Sequence, residues 1–141
     1  MIKGISHTAF VVEDMKKSLH FYCDILGFKK IQELNDAKGE PWLVYLKIAD
    51  RQFLELFYGG TKKVERSFQI IGGSHLCLEV DDINEIANLL ENSGITLDIL
   101  PKQGKDLNYQ CWARDPDENK IEFMKMDPRS LQSNCKMQYS H

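Results

Sequence analysis

A near repetition of the chain within itself constrains its fold more than any other feature. HTAFVVED at residues 7–14 returns as HLCLEVDD at 75–82, an offset of 68 that also links Val12 to Val80. Gly27 and Gly94, each placed to end a helix, and the acid-bearing apolar runs LEL (54–56) and IEF (121–123) recur at an offset of 67. Two copies of one supersecondary unit are expected. Each copy carries one histidine and one glutamate at matching places, His7 with Glu55 and His75 with Glu122, so that the two together can supply a four-ligand metal site.

Each copy reads as a strand, a helix and then three strands, which makes the chain α+β. In the first, residues 5–12 alternate as a strand, and Asp14 can cap a helix whose apolar positions Met15, Leu19, Tyr22 and Leu26 recur at helical spacing before Gly27. In the second, Asp82 caps a helix with Ile83, Ile86, Ala87 and Leu90 on one stripe, ending at Gly94. Strands are expected at 29–34, 42–48 and 52–58, and again at 96–100, 109–114 and 120–125. ADR (49–51) and DPDEN (115–119) supply turn residues. The repeats thus occupy about 3–58 and 74–126, with a linker at 59–73. The polar, unpatterned residues 127–141 read as a loose tail.

Strand alternation decides which way the candidate ligands point. Leu76, Leu78 and Val80 share one face and His75, Cys77 and Glu79 the other; the apolar face must meet the helix. The same parity puts Thr8, Phe10 and Val12 inward with His7 away, Leu54 and Leu56 inward with Glu55 away, and Ile121 and Phe123 inward with Glu122 away. If each sheet curls, the four polar residues line a concave face. A lone strand His is ordinarily a surface group, and a lone strand Glu is ordinarily solvated. Two of each at symmetric places, on one face, favour a shared cation that offsets carboxylate desolvation. His20 and His141 have no partner in the repeat and read as structural or incidental. Cys77 and Glu79 read as pocket lining, because Ala9 and Val11 stand at their places in the first copy.

Bulk properties set outer bounds. At 141 residues one domain can bury about two thirds of its unfolded surface without disulfides. A net charge of −3 and scattered lysines give no reason to expect a nucleic-acid partner. Cys23, Cys77, Cys111 and Cys135 match neither a metal clip nor a disulfide framework and read as reduced thiols. The first residues enter a strand pattern with no leader, and no apolar run approaches the roughly 20 residues of a membrane span. The chain is expected to be soluble and cytoplasmic, with no membrane partner.

The run HTAFVVEDMKKSLHFYCDILGF (7–28) resembles the opening signature of the vicinal oxygen chelate superfamily, especially its glyoxalase I branch, and DPDENKIEF (115–123) resembles that family's closing turn and last ligand. The resemblance spans roughly residues 3–126. It implies a glyoxalase-like fold of two β-α-β-β-β modules, a single domain over 1–126, whose sheets enclose one divalent metal, usually in a homodimer. Extradiol dioxygenases and fosfomycin-resistance enzymes of the superfamily typically lack an acid equivalent to Glu55, and bleomycin-binding relatives usually lack the ligands altogether. The order His, Glu, His, Glu is similar to bacterial glyoxalase I and close to methylmalonyl-CoA epimerases. The implied chemistry is that of an isomerase or lyase acting through an enediolate on a small α-oxo carbonyl compound or its thiol adduct, lactoylglutathione lyase being one such activity. Glu122 is the implied base and Glu55 its pseudo-symmetric counterpart. Imidazole and carboxylate ligands suit Ni, Co, Zn and Mn; the resemblance favours Ni or Co. The alternatives are a ring-cleaving dioxygenase and a drug- or metabolite-binding protein without turnover.

Three positions depart from the glyoxalase I pattern. FYGG (57–60) stands where a Tyr-Asn-Trp segment usually helps seat the thiol adduct, and Lys29 and Lys30 stand near the place of an arginine that engages a glutathione carboxylate. A lysine lacks the bidentate fork of arginine. Glu118 replaces a turn glycine, at a cost of about 1 kcal/mol if that position needs positive φ. Trp42, Tyr45, Tyr109 and Trp112 are open to two readings, pocket lining or core.

Overall fold

A computed structural model describes residues 2–63 and 69–135, which fall in two compact units, 1–67 and 68–141. Part of the expected linker, 64–68, and the end of the tail with His141 lie outside the described residues.

The first unit runs β1 (His7–Val11), α1 (Met15–Leu19), a π-helical continuation (His20–Ile25), β2 (Lys29–Asn35), β3 (Pro41–Ala49) and β4 (Gln52–Phe57). Its sheet is ordered β1-β4-β3-β2, with β1 parallel to β4 and the other pairs antiparallel. Register aligns Leu46, Leu54 and Thr8 in one row and Val44, Leu56 and Phe10 in the next. The four aliphatic side chains of these rows are fully buried, so this is the core face.

The first helix departs from the expected stripe. Asp14 caps it, accepting from the Lys17 amide, but the backbone widens after Leu19, and the Leu26 amide reaches back five residues to the Phe21 carbonyl. The wider turn brings Phe21 beside Tyr22 into the core, ring centroids 4.9 Å apart, and leaves Leu19 and Leu26 only half-buried. Gly27 closes the segment at φ 78°, a left-handed value that carries little cost without a Cβ.

The second unit runs β5 (Leu76–Glu79), α2 (Ile83–Asn92), β6 (Ile99–Gln103), β7 (Tyr109–Arg114), β8 (Lys120–Lys125) and α3 (Leu131–Asn134). Its sheet repeats the first topology as β5-β8-β7-β6, with β5 parallel to β8. The Asp82 carboxylate accepts from the Asn84 and Glu85 amides, and α2 lies against β6, β7 and β8 through Ile83, Ala87 and Leu90. Strand β6 sits three residues later than the expected 96–100. It is an edge strand, and its pairing with β7 breaks between Ile99 and Lys102, around Pro101, which has no amide to donate.

The expected loose tail is corrected over its first half. The buried Asn108 side chain accepts from the Asp127 amide and donates to Gln132, while Ser130 caps α3 by accepting from the Ser133 amide. Polar residues without periodicity here form short-range caps and a side-chain clamp, which hydrophobic patterning does not register.

The turn between β7 and β8 holds Glu118 at φ 65°. Glu118→Gly is expected to raise stability by about 0.5–1 kcal/mol, since relief of the left-handed penalty exceeds the added chain entropy and an exposed Arg114–Glu118 pair contributes little. Thermal melting of both proteins checks this; an unchanged or lower midpoint would contradict it.

Candidate metal and active site

In each unit the parallel strand pair sets a histidine diagonally across from a glutamate. Register pairs Ala9 with Glu55 and Cys77 with Glu122, so each glutamate lies opposite the residue two positions after the histidine, on the same face. His7 Nε2 is 3.6 Å from Glu55 Oε1, and His75 Nε2 is 3.0 Å from Glu122 Oε2. Both carboxylates are buried, whereas the imidazoles are half-exposed. Among the described residues no buried side-chain nitrogen or oxygen lacks a partner, so the desolvation of both acids is met by donors.

The antiparallel neighbour completes each half. Tyr45 on β3 pairs with Glu55, and Trp112 on β7, 67 residues later, pairs with Glu122. The Tyr45 hydroxyl donates to Glu55, and that hydrogen bond is the main reason its phenol is held above the ordinary tyrosine range. The Trp112 ring lies 4.7 Å from the His75 ring and donates from Nε1 to Gln110. Trp42 stacks edge-on against Phe57, and Tyr109 is exposed. Of the four aromatics left open by the sequence, Tyr45 and Trp112 thus flank the acids. Their shared offset of 67 is the signal that marks them.

Cys77 belongs to this group through a thiol hydrogen bond to Glu122. Desolvation of the sulfur, then the charge of Glu122 and that hydrogen bond, push the thiol up to about 12, so it stays protonated at neutral pH. Glu79 stands on the same face with its side chain exposed. His20 forms an exposed pair with Asp24, one turn away on its own helix, far along the chain from the strand positions of the acids. None of the four cysteines forms a disulfide.

Two sequence departures acquire local roles. The Tyr58 hydroxyl donates to Glu33 Oε1 at 2.6 Å, which raises that phenol to about 12, and Lys30 forms a close ion pair with the other oxygen of Glu33. Both groups are therefore engaged by one carboxylate of the edge strand β2.

Each unit gathers two donors, and among the described residues no three His, Cys, Asp or Glu side chains form one metal-binding group. Within each unit the donor types still suit a divalent cation, since a buried carboxylate lies beside an imidazole nitrogen.

The glyoxalase family model, described as the Glyoxalase/Bleomycin resistance protein/Dioxygenase superfamily, matches residues 4–123. The chain belongs to this superfamily. A probable lactoylglutathione lyase of Synechocystis is 31% identical over 123 residues, covering 84% of this chain and 92% of its own. A lactoylglutathione lyase of Schizosaccharomyces pombe is 28% identical across 92% of this chain, which spans about half of that longer protein. The crystal structure of a glyoxalase family protein from Enterococcus faecalis superposes with a TM-score of 0.75 at 24% identity, over 86% of this chain and 97% of its own. Two four-stranded mixed sheets in βαβββ order are the fold these share. Among the described residues no helix is long and apolar enough to cross a membrane.

Proposed function

We propose that this superfamily member is a metal-dependent isomerase or lyase of the glyoxalase I type, acting on a small α-oxo carbonyl compound or its thiol adduct. The observation that carries the reading is the pseudo-symmetric pairing of an imidazole with a buried carboxylate in each module, His7 with Glu55 and His75 with Glu122. These four residues would hold one divalent cation, with Ni or Co preferred and Zn or Mn possible. When bound, the cation supplies Lewis-acid stabilisation of the enediolate oxygens.

Glu122 takes the carbon-bound proton and returns it to the neighbouring carbon. Its hydrogen-bonding partner beyond His75 is a thiol, a weak donor, which leaves lone pairs available for that proton. Glu55 is bound by the stronger phenol donor of Tyr45 and serves chiefly as a ligand. Trp112 keeps His75 turned toward Glu122 by packing against its ring. A homodimer working in the cytoplasm, with a small-molecule substrate and neither nucleic-acid nor membrane partners, completes the proposal. Engagement by Glu33 occupies Lys30, one of the two lysines near the place of the carboxylate-binding arginine, and Tyr58 of the segment that usually seats the thiol adduct, so the thiol is left open.

Elemental analysis of protein purified without chelator tests this. About one equivalent of Ni, Co, Zn or Mn per subunit is expected, weakened in Glu55→Gln. If the wild type holds no metal and takes none up on addition of Ni, Co or Zn, the isomerase reading falls and a binding protein without turnover becomes the better account.

A further inference from the structure

A cleft of about 590 Å³ opens at the edge of the first sheet, where β1 begins and the β3–β4 hairpin turns, lined by Lys3, Ser6, Lys47, Asp50, Arg51 and Phe53 among others. Its volume falls within the usual range for small-molecule sites. Three cations against one carboxylate make it net positive. Among the described residues no hydrogen bond or ion pair engages the side chains of Lys3, Lys47 or Arg51.

Register places this cleft beside His7. Phe53 pairs with His7 across β1 and β4, and Lys47 pairs with Phe53 across β3 and β4. Lys47, Phe53 and His7 therefore form a row on the same face as the adjacent row of Tyr45, Glu55 and Ala9, about 7 Å along the strands.

The second module shows what this corner is like when it is closed off. At the offset of 67, Lys47 corresponds to Arg114 and Arg51 to Glu118, and both turn residues adopt positive φ, 58° and 65°. There the cation is neutralised internally: Arg114 Nε donates to Asp98 at 2.7 Å, and Nη1 lies 3.5 Å from Glu118. In the first module the acidic partner is replaced by a second cation, set in a strained conformation that a glycine or asparagine would adopt at lower cost. Asp50 is the one carboxylate of the cleft, and among the described residues it forms no ion pair with Lys47 or Arg51, so two like charges, one of them in a conformation that disfavours arginine, stand open to an anion from outside.

We propose that the Lys3, Lys47 and Arg51 cleft binds the anionic end, a phosphate or carboxylate, of the small molecule handled at His7 and Glu55. The link to that chemistry rests on the metal-dependent reading above, whereas anion binding itself does not. A phosphate dianion, able to meet three separate cations with three oxygens, fits the cleft better than a carboxylate.

Calorimetric titration of the full chain with inorganic phosphate at low ionic strength, with acetate as a second arm, tests this. The wild type, Lys47→Gln, Arg51→Gly and Arg114→Gln are compared, and Ni uptake is measured on the same samples. Saturable phosphate binding is expected, weakened about tenfold by Lys47→Gln and by Arg51→Gly and unchanged by Arg114→Gln, with acetate binding less tightly. Tighter acetate binding would assign the site to carboxylates. No saturable binding of either anion, or binding indifferent to both substitutions, would overturn the proposal. Ni uptake without anion binding would remove the anion site and leave the metal reading standing; anion binding without Ni uptake would do the reverse.

Discussion

Glu122→Gln is expected to lower kcat/KM for the isomerisation of a methylglyoxal thiol adduct by about 10³-fold or more, with the fold intact. The amide is nearly isosteric with the carboxylate, so the buried space that the Glu122 side chain fills on its face of β8 stays filled. Three things are lost together. An amide cannot accept the substrate proton, and general base catalysis alone contributes about 10²–10⁴-fold. It carries no charge to balance a divalent cation, and its NH₂ end presents donors where His75 Nε2, 3.0 Å away, and the Cys77 thiol now face an acceptor. Circular dichroism reports the fold, and steady-state kinetics report the loss. Retention of a third or more of wild-type activity would remove Glu122 from the role of base.

Much of this site was legible in the sequence because strand parity is a rigid rule. Once His7, Glu55, His75 and Glu122 were read as strand residues, a common face followed for each pair; β1, β4 and β8 carry His7, Glu55 and Glu122, whereas His75 stands one residue before β5 begins at Leu76. The repeat did further work, since an offset of 67 or 68 relates the topology of each sheet as well as the candidate ligands. What was not legible depended on register and on local hydrogen bonding. Tyr45 and Trp112 flank the acids only because β3 and β7 pair in a particular register, which alternation alone leaves free. The π-helical widening after Leu19 moved Phe21 into the core against a pattern that assumed 3.6 residues per turn. Residues 127–134 carry no periodicity, yet Asn108, Ser130 and Asp127 tie them down by polar contacts.

Asp115→Ala should cost about 3 kcal/mol or more of folding stability and disturb the site at a distance. Asp115 is buried at the start of the β7–β8 turn, and its carboxylate organises that turn: Oδ1 accepts from the Asp117 amide at 2.9 Å and the Asn119 amide at 2.8 Å, and Oδ2 accepts from Asn119 Nδ2 at 2.7 Å. Alanine leaves these donors without their acceptor, two of the three bonds ending on the buried Asn119, and each unsatisfied buried donor costs about 1–3 kcal/mol. The turn also bears the strained Glu118, so the carboxylate is what holds a left-handed residue in place. Strand β8 begins at Lys120, two residues before Glu122, and a one-residue slip would turn that side chain to the helix face. Chemical denaturation should therefore show the lost stability, and the metal affinity of the proposed site should fall although none of its four proposed ligands has been changed. Asp115→Asn, which keeps one acceptor oxygen, should recover part of both. Wild-type stability in Asp115→Ala would show that the turn is held by backbone contacts alone, such as the Asp115 to Asn119 and Glu118 to Asp115 hydrogen bonds.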